Sequence, residues 1–73
     1  METIDLHGTR HEHADEAVRS FLNFADLPCE IITGNSPTMK SIVRSVVDEY
    51  GWFCQEKSDY NYGALIITEK RGY

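Results

Sequence analysis

The chain predicts a two-layer α/β fold in the order strand, helix, strand, helix, strand, strand, and three observations carry that expectation. Two apolar stripes recur at the three-and-four spacing of amphipathic helices. Each stripe follows a short apolar run that ends in glycine, and the last third holds two more apolar runs with no helical stripe between them. Strand-helix-strand crossovers are right-handed, so a chain that keeps advancing across the sheet puts both helices on one face. With 73 residues there is too little chain to cover the other face as well. The expected sheet is four-stranded and mixed but mostly parallel, with the first three strands alike and the fourth opposed.

Thr3 to Leu6 reads as the first strand, with Ile4 and Leu6 on one face and Asp5 and His7 on the other, and Gly8 ends it. Thr9 and Glu12 have capping-box spacing, which starts the first helix near residue 10. Its inward stripe is Ala14, Ala17, Val18, Phe21, Leu22 and Ala25, and Asp26 to Pro28 ends it. Cys29 to Thr33 is the second strand. Ser36 as N-cap and Pro37 at the first helical position then open a second helix that runs to about Tyr50 and stops at Gly51. Its inward positions are Met39, Ile42, Val43, Val46, Val47 and Tyr50. Trp52 to Gln55 and Ala64 to Thr68 are the last two strands, joined by a polar and aromatic loop from Lys57 to Gly63. The whole of 1–73 reads as one domain, with 70–73 a flexible tail.

Apolar residues at 41% and charged residues at 26% describe a folding globular chain rather than a disordered one. No apolar run approaches a membrane span, and no basic segment precedes an apolar core, so a cytoplasmic protein without a membrane partner is expected. Cys29 and Cys54 lack zinc-site spacing and read as small core residues. The net charge of -5 argues against tight, non-specific polyanion binding, and Arg10, Lys40, Arg44, Lys57, Lys70 and Arg71 form a basic surface only if the fold gathers them. Either Trp52 or Phe53 must face the helices, leaving the other on an open, partly apolar sheet face that suits a homodimer or a larger protein partner.

The topology brings Asp5 to Gly8, Thr33 to Ser36 and Ser58 to Gly63 to one edge of the sheet, where open α/β sheets bind ligands. Gly34, Asn35, Ser36 and Thr38, at the start of the second helix, form an anion seat with Lys40 one turn inward. Asp5 and His7 lie on the same side of one strand, about 6.6 Å apart. His7 is the natural proton-transfer group, and Asp5 would fix its tautomer or take a proton itself. The competing reading is that both simply cap a strand end. His11 and His13 would assist phosphate binding or join His7 on a transition metal, but positions two apart on a helix do not face each other, and solvated helix residues are the plainer reading. Arg10 would clamp a phosphate or pair with a neighbouring acid. Tyr60 and Tyr62 would stack on unpaired bases, with Asn61 on a base edge, or else cover the core.

Taken together, Ile4-Asp5-Leu6-His7-Gly8, Ile31-Ile32-Thr33-Gly34-Asn35-Ser36 and Asn61-Tyr62-Gly63-Ala64 resemble the Smr (small MutS-related) domain. The resemblance spans nearly the whole chain and implies a fold similar to the C-terminal domain of translation initiation factor three. It also implies a nucleic-acid-binding domain with endonuclease activity on RNA or DNA, in which Asp5 and His7 stand at the family's first motif and Thr33-Gly34-Asn35 begins the second. Ser36 stands where that second motif has another glycine, and Pro37 follows, so this loop is stiffer and offers one amide fewer. If the substrate is RNA, its own 2′-hydroxyl attacks the phosphate, and no cofactor is called for; a DNA substrate would need an activated water, for which a divalent metal is an option that one carboxylate and one histidine serve thinly. The expected function is therefore phosphodiester cleavage, RNA favoured over DNA, with single-stranded or structured nucleic acid as partner. A non-catalytic nucleic-acid-binding module and a protein-interaction domain using the open sheet face are the alternatives.

Overall fold

A computed structural model describes residues 1–58 and 61–70, without the side chains of Asn61 and Tyr62. The elements are β1 (Thr3–Asp5), α1 (His11–Phe24), β2 (Cys29–Ile32), α2 (Pro37–Glu49), β3 (Phe53–Ser58) and β4 (Asn61–Thr68). The element sequence follows the expectation. The sheet does not, because its order is β1-β2-β4-β3.

Only β1 and β2 pair in parallel; β4 inserts between β2 and β3 and is antiparallel to both. The expectation of a mostly parallel sheet is therefore wrong, and the sheet is mixed and mostly antiparallel. The physical reason lies in the connection after β3. Lys57 to Gly63 is not an open loop, because β3 continues to Ser58 and β4 starts at Asn61 with Ser58 opposite Asn61, which makes a hairpin. A hairpin partner must lie beside β3, and Ala64-Leu65-Ile66-Ile67 is apolar on both faces, as an interior strand should be. Phe53-Cys54-Gln55-Glu56-Lys57-Ser58 is mixed in polarity and takes the edge. An irregularity in register between Glu56 and Ser58 marks the hairpin's outer part.

Both helices pack on one face. Ala14, Val18 and Leu22 of α1 and Met39, Val43, Val46 and Val47 of α2 share one buried cluster with Leu6, Cys29, Ile31, Leu65 and Ile67. Ile4, Ala17, Phe21, Ala25, Ile42, Tyr50, Trp52 and Cys54 pack against it from the side. The register explains which strand residues take part. Ile31 stands opposite Leu65, and Ile67 stands opposite both Cys29 and Cys54, so alternate residues of three strands meet the helices. Trp52 is the inward aromatic of its pair, with its ring centroid 5.0 Å from that of Tyr50, while Phe53 is exposed.

The opposite face carries Thr3, Glu30, Ile66 and Gln55 in one row across the sheet. Glu30 is nearly buried there because Lys57 Nζ lies 3.0 Å from one carboxylate oxygen and the Thr3 hydroxyl donates to the other at 3.3 Å. A desolvated carboxylate held this way tolerates its position among apolar neighbours. At the end of the helices away from residues 33–36, the Arg19 guanidinium joins Asp15 at 2.6 Å to Glu49 at 2.7 Å, tying α1 to α2. The hydrogen bond from Arg19 holds the Asp15 carboxyl below its ordinary pKa. The Tyr50 hydroxyl adds a second tie by donating to Asn23 Oδ1 at 2.6 Å.

The capping box at the start of α1 does not form. Arg10 is the N-cap, with no side-chain cap, and the Thr9 amide instead closes a turn on the Leu6 carbonyl at 2.9 Å. The start of α2 behaves as its residues require: Ser36 Oγ accepts the Met39 amide at 3.1 Å, and Pro37 sits in the first turn.

Candidate functional site

Three chain segments meet at the end of β1 and β2. The Leu6 amide donates to the Ile32 carbonyl at 2.8 Å, which prolongs the parallel pairing just beyond the strand. The Thr33 and Gly34 amides both donate to the Gly63 carbonyl, at 2.8 and 3.0 Å, so the turn after β2 is fastened to the hairpin arm. Thr33 is buried, and its hydroxyl is used inside this junction, toward the carbonyls of Gly34 at 2.8 Å and Gly63 at 3.3 Å. Thr33 and Gly63 thus build the rim rather than line it.

Gly34 carries the geometry that matters most. Its φ of +68° belongs to the left-handed region that favours glycine, and a Cβ there would stand 3.0 Å from Cδ2 of His7. The imidazole of His7 therefore lies directly against the bend between β2 and α2, and it is exposed. Gly8, with φ of +88°, turns the chain away immediately after it. Asp5 does not touch the imidazole. Its Oδ1 accepts the backbone amide of His7 at 2.9 Å, which holds the 5–7 turn in shape.

Beyond Gly34 the rim continues with exposed Asn35, the half-buried cap Ser36 and exposed Thr38. Among the described residues, no acceptor takes the amides of Asn35, Ser36 or Thr38, which stand at the positive end of α2. Lys40 belongs to the same helix, but Glu56 of β3 lies 3.3 Å from its Nζ, and only 17% of the side chain is exposed. Arg44 approaches the same carboxylate at 3.6 Å. The charge of Lys40 is thus largely balanced by an acid that the helix sequence does not disclose. Arg10 sits at the N-cap of α1 and leans toward Glu12 at 3.7 Å. Tyr60 and the side chains of Asn61 and Tyr62 lie outside the described residues, as does 71–73 of the expected tail.

One further residue joins the rim, for which solvated helix surface was the plainer expectation and assistance to phosphate binding the other. His11, the first residue of α1, brings its Nε2 to 3.5 Å from Ser36 Oγ. The shortness of the connection was the available signal: only residues 6–10 separate β1 from α1, which keeps the start of α1 close to the end of the strand. His13 points elsewhere, 3.6 Å from Glu12.

Among the described residues, no group of three or more His, Cys, Asp or Glu side chains is gathered to hold a metal. Cys29 is buried and Cys54 half-buried; loss of solvent pushes both thiols up to about 11, which keeps them protonated at neutral pH. No helix among the described residues is long and apolar enough to cross a membrane. Comparison with protein-family models, with curated proteins and with solved structures finds no match to this chain.

Proposed function

We propose that the rim binds the sugar-phosphate backbone of RNA and cleaves it, with His7 transferring the proton and the turn at residues 34–38 receiving the phosphate. The observation that carries this reading is the exposed imidazole of His7 lying against Gly34, beside the unpaired amides at the start of α2. The resemblance of Asp5-Leu6-His7-Gly8 and Thr33-Gly34-Asn35 to the Smr motifs supports the same reaction class. RNA is favoured over DNA because a 2′-hydroxyl supplies the nucleophile and the protein then has only to move protons and stabilise charge. Asp5 acts through the backbone: by holding the His7 amide it positions the imidazole over the turn.

The test is cleavage of a mixed set of short RNA and DNA strands with and without EDTA. RNA cleavage is expected to survive EDTA and to fall at least about 100-fold in His7→Ala. Undiminished cleavage in the folded variant would overturn the assignment. Binding without cleavage is the second reading, favoured by the pairing of Asp5 with backbone rather than with the imidazole and by the net charge of -5. It predicts salt-sensitive RNA binding with no product in any buffer.

A further inference from the structure

The geometry points to His11 as the second proton-transfer group of this rim, paired with His7 across the turn at residues 34–36; the inference rests on the RNA-cleavage reading above. The two imidazoles arrive from different elements, His7 from the end of β1 and His11 from the first position of α1. They contact one short turn from two places, His7 at Gly34 and His11 at Ser36. Gly34 and Ser36 are two residues apart, at most about 7 Å along the chain, so both imidazoles reach the same short turn. The contact of His11 with Ser36 Oγ at 3.5 Å is at the outer limit of a hydrogen bond, and a phosphate oxygen arriving at this turn displaces it at little cost.

The neighbouring charges leave this pair available. On α1, Glu12 faces Arg10 at 3.7 Å and His13 at 3.6 Å. On the β1 turn, Asp5 is taken by the His7 amide, and on α2, Lys40 is balanced by Glu56. Among the described residues no carboxylate lies within ion-pair distance of either His7 or His11.

Strand scission by internal attack needs two proton transfers on opposite sides of one phosphorus atom. The 2′-oxygen bonds to phosphorus and its proton passes to the neutral imidazole of the pair. The bond from phosphorus to the 5′-oxygen breaks, and that oxygen takes a proton from the other imidazole, which is charged. One imidazole gains the proton that the other loses, and the products are a 2′,3′-cyclic phosphate and a 5′-hydroxyl. No water, metal or redox partner enters the balance. His13 is outside the pair and serves as the internal control.

The experiment has two arms on the intact chain. In the first, imidazole nitrogen resonances are followed at constant pH while an all-2′-fluoro RNA strand, which lacks the nucleophile, is added. Resonances of His7 and His11 are expected to move together, with His13 unmoved; equal responses of His11 and His13 would overturn the inference. In the second, the pH dependence of kcat/KM on unmodified RNA is expected to be bell-shaped, and His11→Ala to lose one limb with a fall of about 100-fold, while His13→Ala keeps both. A His11→Ala enzyme with the full bell and full rate would overturn the inference while leaving the role of His7 standing. Failure of RNA to bind or be cleaved would overturn both readings.

Discussion

The two ends of the helix layer handle charge in opposite ways. At the end away from residues 33–36, Arg19 is shared between Asp15 and Glu49 and the Tyr50 hydroxyl reaches Asn23, so polar side chains are spent on holding one helix to the other. At the rim, two histidines are exposed, and His11 reaches across to Ser36 by a long contact of 3.5 Å. The first arrangement stabilises; the second leaves donors and proton carriers facing solvent without a partner of comparable strength. Exposed donors at a helix start bond to water that an anion can displace, so the rim is the end at which the proposed binding is to be tested.

Substitutions that break this contrast should separate activity from stability. The largest effect is expected for His7→Ala, with cleavage lost by about two to four orders of magnitude. The exposed position should leave stability within about 0.5 kcal/mol, which urea unfolding checks. Gly34→Ala should affect both quantities. The φ of +68° costs an alanine about 1–2 kcal/mol, and the new methyl 3.0 Å from His7 displaces the imidazole, so a lower melting temperature and slower cleavage are expected together. Ser36→Ala removes the cap on the Met39 amide and should cost about 1 kcal/mol, read as a fall in the urea midpoint.

The thiols sharpen the comparison from the interior. Because burial raises both Cys29 and Cys54 to about 11 from an ordinary 9.0, the unfolded chain releases these protons first as pH rises. Stability from these groups is therefore constant below about pH 9 and falls from there toward about pH 11. The double Cys→Ser variant should lose less stability over that interval, and both native thiols should alkylate more slowly than a free cysteine. The smallest effect is expected at the other end of the helices. Arg19→Gln exchanges a surface ion-pair network for neutral contacts and should lower the melting temperature slightly, less so at high salt, with cleavage unchanged.

Much of this molecule was legible in local pattern. The stripes of α1 and α2, the stop at Gly51 and the cap at Ser36 all follow from spacing and turn chemistry, which act over one or two helical turns. The glycine turn after β2 was legible for the same reason, and with it the approach of His7. The features that local pattern does not disclose depend on long-range pairing. The insertion of β4 between β2 and β3 was signalled only by the two-sided apolar run at Ala64 to Ile67 against the mixed polarity of residues 53–58. That same misplacement hid Glu56 from Lys40, so a lysine read as part of the anion seat lies against an acid of β3. The spacing of Thr9 and Glu12 suggested a cap that the turn from Leu6 to Thr9 pre-empts, because the Thr9 amide is already bonded there.

Mapping where RNA touches the chain tests the central claim most directly. Amide and imidazole resonances should be recorded during titration with a short, cleavage-resistant RNA at low salt and again at moderate salt. Perturbations are expected to concentrate at residues 5–11 and 33–38, to weaken as salt rises, and to spare Arg19 and Glu49. A response centred on the sheet face opposite the helices, around Thr3 and Lys57, or along the outer side of α2 at Ser41 and Ser45, would contradict the account.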